Sequence, residues 1–158
     1  MPYLFTLPGL LCELALSITD IRTRRVPLPW VGLGTLLQLI AVFVYGVMSN
    51  DLFVLLQAVL FTALCCVIQL ALALLVPKSL GFGDVTALVP AGLAVGMLGL
   101  FPVVVWWLAM GVLGIGWIML WLRFGPRRST SEHAGKVPYV PVIALGAVLA
   151  IVTHMVIG

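Results

Sequence analysis

Leu80-Gly81-Phe82-Gly83-Asp84-Val85-Thr86 sets one acid between two glycines and an apolar run. From Val85 to Leu100 no charge follows, so Asp84 stands at the edge of a segment that reads as a membrane span. An ionisable side chain in that position is expensive to hold and seldom idle. Gly81 and Gly83 have no Cβ, so the backbone can turn sharply there and a second segment can approach closely.

The rest of the chain reads the same way. It has 158 residues, 63% hydrophobic and 8% charged, with a mean hydropathy of +1.27. A soluble domain of this size could not hide so much apolar surface. Six apolar stretches are legible: Tyr3–Ile18, Trp30–Met48, Leu52–Val76, Val85–Leu100, Val103–Leu122 and Tyr139–Ile157. Most approach the ~20 residues that a span needs. Lipid offers the backbone no partners, so each must bond to itself as a helix. The fold class expected is all-α: a polytopic bundle of about six transmembrane helices, forming a single membrane domain over residues 1–158 with no separate soluble domain. The fourth stretch is short and holds Pro90, Gly92 and Gly96, which predicts a kinked or thin helix. A tight hairpin at Gly99–Pro102 joins it to the fifth. The first stretch lacks a basic leader and is followed by five more, so it reads as a retained span rather than a secretory signal.

Charge fixes the expected orientation. The eight basic residues fall in alternate connections: Arg22, Arg24 and Arg25; Lys78; then Arg123, Arg127, Arg128 and Lys136. Asp51 is the one charge in the other connections. The positive-inside rule puts the three basic connections in the cytoplasm. The formal net charge of +3 suits a bilayer with anionic headgroups. No basic surface interleaved with aromatics offers a platform for nucleic acid.

Asp20 then joins Asp84. It opens Asp20-Ile21-Arg22-Thr23-Arg24-Arg25-Val26-Pro27, at the same expected face as Asp84 but on another helix. Two carboxyls brought together share one proton: the ionised one can take a proton from water while the neutral one polarises a carbonyl. Each acid also has a plainer reading. Asp84 would N-cap the fourth helix, and Asp20 would be a loop acid paired with Arg22 or Arg24.

These residues resemble the type IV prepilin peptidase family and its archaeal preflagellin relatives, which are GxGD intramembrane aspartic proteases. The family pattern is an aspartate, a basic stretch and an Ile/Val-Pro, then GxGD. Here that reads Asp20 through Val26-Pro27, and Gly81-Phe82-Gly83-Asp84. Gly135-Lys136-Val137-Pro138-Tyr139-Val140-Pro141 is similar to the Lys-x-Pro-aromatic-x-Pro run before the family's last helix. The resemblance covers nearly the whole chain. It implies a membrane-embedded aspartic endopeptidase that removes the basic leader from prepilins or pseudopilins at the cytoplasmic face of a bacterial cytoplasmic membrane. Asp20 and Asp84 would be catalytic. Gly81, Gly83, Pro27, Lys136 and Pro138 would shape the site, with no cofactor and no metal. Thr86 stands where the family usually has Lys, and Leu28 where Asn often follows the Pro. The larger members' cysteine-tetrad insert is absent, so methylation of the mature pilin is not supported.

Other polar residues carry less. Glu13 lies seven positions before Asp20 on the same helical face, about 10 Å deeper. It would line a wet cavity or touch substrate, or, the commoner outcome, sit neutral and hydrogen-bonded to a neighbouring helix. Gln38, Gln57 and Gln69 read as interhelical links. His154 is far in depth from the acids, and His133 lies in a hydrophilic loop. Cys12, Cys65 and Cys66 have no CxxC spacing and read as small packing residues. The tryptophans read as packing and interface anchors. The rival to the peptidase is a small proton- or ion-coupled transporter using Glu13, Asp20 and Asp84 as relays.

The charge pattern makes topology testable. Cysteines introduced at Thr23 and Ser131 should be shielded from an impermeant thiol reagent added outside intact cells, and one at Asn50 should be labelled. The reverse pattern would overturn the orientation.

Overall fold

The computed structural model describes residues 2–75, 82–124 and 137–157. A 3₁₀ turn over Pro2–Thr6 leads into α1 (Leu7–Thr23), followed by α2 (Leu28–Met48), α3 (Phe53–Leu75), α4 (Phe82–Gly96), α5 (Leu100–Phe124) and α6 (Val140–Ile157). Among the described residues there is no strand. Five helices are long and apolar enough to cross a membrane, and α4, with 15 residues, is shorter. The molecule is an all-α multi-pass membrane bundle.

Local chemistry sets the helix ends. Pro8 and Pro29 stand in the first turns of α1 and α2, where an amide would have no helical partner. α1 stops where Arg24 adopts the left-handed conformation (φ 54°), its amide bonding back to the Asp20 carbonyl at 2.8 Å. Between α2 and α3, Asn50 also takes positive φ, and the Asp51 carboxylate accepts the Phe53 amide at 3.1 Å.

The helices form a ring around α4. α1 packs against α2 and α6, α2 against α3, and α5 against α6. Between α3 and α5, the Trp107 indole donates to the Cys65 sulfur at 2.9 Å. α4 touches all five others, and ten of its residues are buried. Small residues let it fit. A Cβ on Gly92 would lie 2.9 Å from the Thr62 side chain, and one on Gly96 3.1 Å from the Ala58 carbonyl. The main core joins Leu88, Ala91 and Val95 of α4 to Trp106, Ile143 and Ala147. Large apolar side chains such as Leu36, Leu64 and Val112 face outward, while Glu13, Gln38, Thr62 and Gln69 lie inside. That inversion suits a lipid solvent.

The two long amides that link helices do so through backbone. Gln38 accepts the Gly9 amide at 2.7 Å and donates to the Phe5 carbonyl at 2.9 Å, pinning the start of α1 to α2. Gln57 donates to the Gly96 carbonyl at 3.1 Å, where α4 ends. Gln69 is buried.

Three boundaries differ from the sequence reading. The first helix does not end at Ile18 but runs to Thr23, so Asp20 is a helical residue rather than a loop acid. α4 begins at Phe82 rather than Val85, which puts Asp84 inside its first turn and not at the N-cap. The α4–α5 turn lies over Met97–Gly99 rather than Gly99–Pro102; Gly99 supplies the positive φ of 110°, and Pro102 is tolerated in the first turn of α5.

The tight seams of α4 should govern stability. Gly96→Val forces a side chain toward the Ala58 backbone and should destabilise by about 1–3 kcal/mol. Gly116→Ala, where a Cβ meets open space, should be neutral or stabilising by up to ~1 kcal/mol. Thermal unfolding of the two variants in the same detergent checks this.

Candidate active site

Asp20 sits in the last turns of α1 with 4% of its surface exposed. The α1 face that carries it is buried along Gly9, Glu13, Leu16, Ser17 and Asp20, the spacing of one helical stripe. Its carboxylate accepts the Val140 amide at 3.2 Å, across 120 residues of chain. Val140 opens α6 and is followed by Pro141, so its amide has no partner within its own helix. Asp20 thus caps a helix it does not belong to, and the positive end of α6 suits its charge. Arg24, one turn on, is close enough to act on it electrostatically. The Arg24 guanidinium lies 5.8 Å from the centre of the Trp121 ring, which joins the ends of α1 and α5.

Asp84 enters from α4. It is half-buried, and Thr86 Oγ1 donates to the Gly83 carbonyl at 2.8 Å in the same turn. A Cβ on Gly83 would lie 3.2 Å from the Val26 side chain. The close approach expected at this glycine is therefore real, and the visitor is the segment that follows Asp20. The sharp turn is not: Gly83 is helical. Pro27, next to Val26, caps α2, its carbonyl accepting the amides of Trp30 at 3.0 Å and Val31 at 3.3 Å.

Both acids meet the start of α6. Asp20 binds the Val140 amide, and the Asp84 charge reaches the Tyr139 phenol. Burial first, and Asp84 second, push that phenol above the ordinary tyrosine range. Tyr139 donates to the Met110 carbonyl at 3.3 Å, and Pro138, buried before it, accepts the Trp117 indole at 2.7 Å. These bonds hold the Pro138–Val140 segment against α5, so both acids face a fixed surface.

Glu13 does not belong to this cluster. It is two turns deeper on α1 and 0% exposed, and Leu16, one turn on, belongs to a small apolar group with Val31, Ala87 and Val140. Neither of its oxygens makes a hydrogen bond of ordinary geometry among the described residues, but the Ala91 amide of the neighbouring α4 lies close enough to act on the carboxyl, the side from which an interhelical bond was expected. His154 is at the far end of the bundle, where Tyr3 Oη lies 3.2 Å from its Nδ1. Gly81, Lys136 and His133 lie outside the described residues. The three cysteines are free thiols, and among the described residues no His/Cys/Asp/Glu group could hold a metal ion.

The Val140 amide, the Val26 contact and the Arg24–Trp121 stack were not foreseen. A proline at the second position of α6 was the available signal, since it marks an amide that needs an outside acceptor. A scan against protein-family models matches none, and searches of curated proteins and of solved structures return no significant match.

The Asp84–Tyr139 coupling can be measured. Ultraviolet titration, with Tyr139→Phe as the reference that removes one of three tyrosines, should show Tyr139 ionising above the ordinary range. Asp84→Asn removes the nearby negative charge and should lower that midpoint without abolishing the part due to burial. No movement would separate Asp84 from Tyr139.

Proposed function

We propose that this protein is a membrane-embedded aspartic endopeptidase of the prepilin-peptidase type, with Asp20 and Asp84 as its catalytic pair. The observation that carries the reading is their convergence: two acids from different helices, each in a family-like motif, reach adjacent residues of a third such motif, Asp20 the Val140 amide by a hydrogen bond and Asp84 the Tyr139 phenol by its charge. The contact of Val26 with Gly83 joins the first two motifs independently.

In this mechanism the pair holds one proton. The ionised carboxylate takes a proton from water as its oxygen attacks the scissile carbonyl, and the protonated partner hydrogen-bonds the developing oxyanion. Collapse breaks the C–N bond, and a proton passes to the leaving amine. The substrate is a prepilin or pseudopilin whose basic leader lies at the membrane face while its apolar helix stays in lipid. The three basic connections, and the site with them, face the cytoplasm from the cytoplasmic membrane.

Asp20→Asn and Asp84→Asn preserve size and remove the shared proton chemistry. Each alone should abolish leader removal from a co-expressed prepilin, read as a mass shift, with the enzyme present at normal level. The double variant should be little worse than either, because groups acting as a unit are not additive. Substantial cleavage by either single variant would end the two-aspartate mechanism. Failure of the unaltered protein on every prepilin, together with proton flux in vesicles, would favour the transporter instead.

A further inference from the structure

Among the described residues, Glu13 is the one buried charged-type side chain that the proposed reaction does not use. A carboxyl with its oxygens unpartnered in an apolar interior is costly unless something fills its hydrogen bonds. No charged side chain of α2, α4 or α6 acts on it, and Cys12, beside it on α1, is its titratable neighbour. What faces it is the Ala91 amide of α4, close enough to act on the carboxyl but outside ordinary hydrogen-bond geometry, so most of its hydrogen-bonding capacity is unfilled.

That stretch of α4 has a gap of its own. Pro90 has no amide, so the Thr86 carbonyl loses the donor that an α-helix would supply. A helical carbonyl points toward the residue four places on, so the Thr86 oxygen is directed at Pro90. Pro90 is turned to α1 and α2: a Cβ on Gly9 would lie 2.6 Å from its carbonyl oxygen, and one on Gly34 3.7 Å from its Cβ. The acceptor and the unpartnered acid therefore share the α1–α4 seam. Between Glu13 and Asp20 the same α1 stripe carries Ser17, buried, its hydroxyl donating to the Glu13 carbonyl at 2.7 Å. A polar side chain thus stands at each turn from Asp20 inward.

We propose that the α1–α4 seam is a water-binding site running from Asp20 past Ser17 to Glu13, and that Glu13 is a proton-exchanging carboxyl at its inner end, bridged by water to the Thr86 carbonyl. An internal water requires two to four polar partners, and Glu13, Thr86 and Ser17 provide them. The site stands apart from the peptidase reading, since it needs neither cleavage nor a prepilin. The opposing arrangement is a dry acid sealed off by Leu16 and Ala87.

The chain has two glutamates, Glu13 and Glu132. In a Glu132→Gln protein grown with carbon-13-labelled glutamate, Glu13 is therefore the sole labelled carboxyl. Infrared spectra of the full chain in lipid should show a protonated carboxyl band that shifts in heavy water long before the helical amides exchange. Ser17→Val should slow that shift at least several-fold. Near-isosteric replacement separates the alternatives again. Glu13→Gln should melt close to the unaltered protein, and Glu13→Met below it, because methionine strands the Thr86 carbonyl. A band that exchanges only with the helical amides, no protonated band at all, or a Glu13→Met protein that melts at or above the unaltered one would each overturn the proposal.

Discussion

The close approach of helices to α4 is the constraint on which everything else rests. A transmembrane bundle gains little from hydrophobicity between helices, because lipid is as apolar as leucine. It gains from contact, and contact needs small surfaces. α4 supplies them at Gly92 and Gly96 toward α3, and its partner α1 does so at Gly9 toward Pro90 and Ala94. Because α4 lies at the centre, the helix that carries Asp84 is held by all five neighbours. The helix that carries Asp20 packs against α2, α4 and α6.

α1 and α6 run antiparallel and are tied at both ends. Asp20 holds the Val140 amide at one end, and Tyr3 meets His154 at the other. The ring of the bundle closes through these bonds and through Trp107 on Cys65. In the proposed reaction Asp20 would carry a second role beside capping α6. Changing Asp20 to Asn keeps an acceptor for the Val140 amide, whereas truncation would release the start of α6 from α1. The Pro138–Val140 segment has its own supports in Trp117 and Met110, so its shape does not depend on Asp20 alone.

The fold was legible because lipid leaves the backbone one solution, and five of the six apolar runs appear as helices of spanning length. The small residues of α4 were legible too, though not that they mark the centre rather than a weak span. Asp20 and Asp84 were readable as candidates from their motifs. That both would reach the start of α6, Asp20 at Val140 and Asp84 at Tyr139, was not, since nothing local in the chain encodes which helix end lies beside which. Gln38 and Gln57 link helices as amides with donor and acceptor can. Glu13 also meets a neighbouring helix, at the Ala91 amide of α4, but without a hydrogen bond of ordinary geometry.

The length of α4 has a consequence for the surrounding lipid. Its 15 residues span about 22 Å at 1.5 Å per residue, against ~30 Å of hydrocarbon. Both of its ends cannot stand level with the headgroups. Because the other five helices surround α4, the shortfall lies inside the protein as a recess on at least one face, and the surrounding lipid is matched to the longer helices instead. At the Asp84 end, Gly83 meets Val26 of the α1–α2 connection, so this end stands beside its neighbours' ends. The other end stops short, with Gly96 against Ala58, five positions inside α3, so the shortfall falls on the face opposite the two acids.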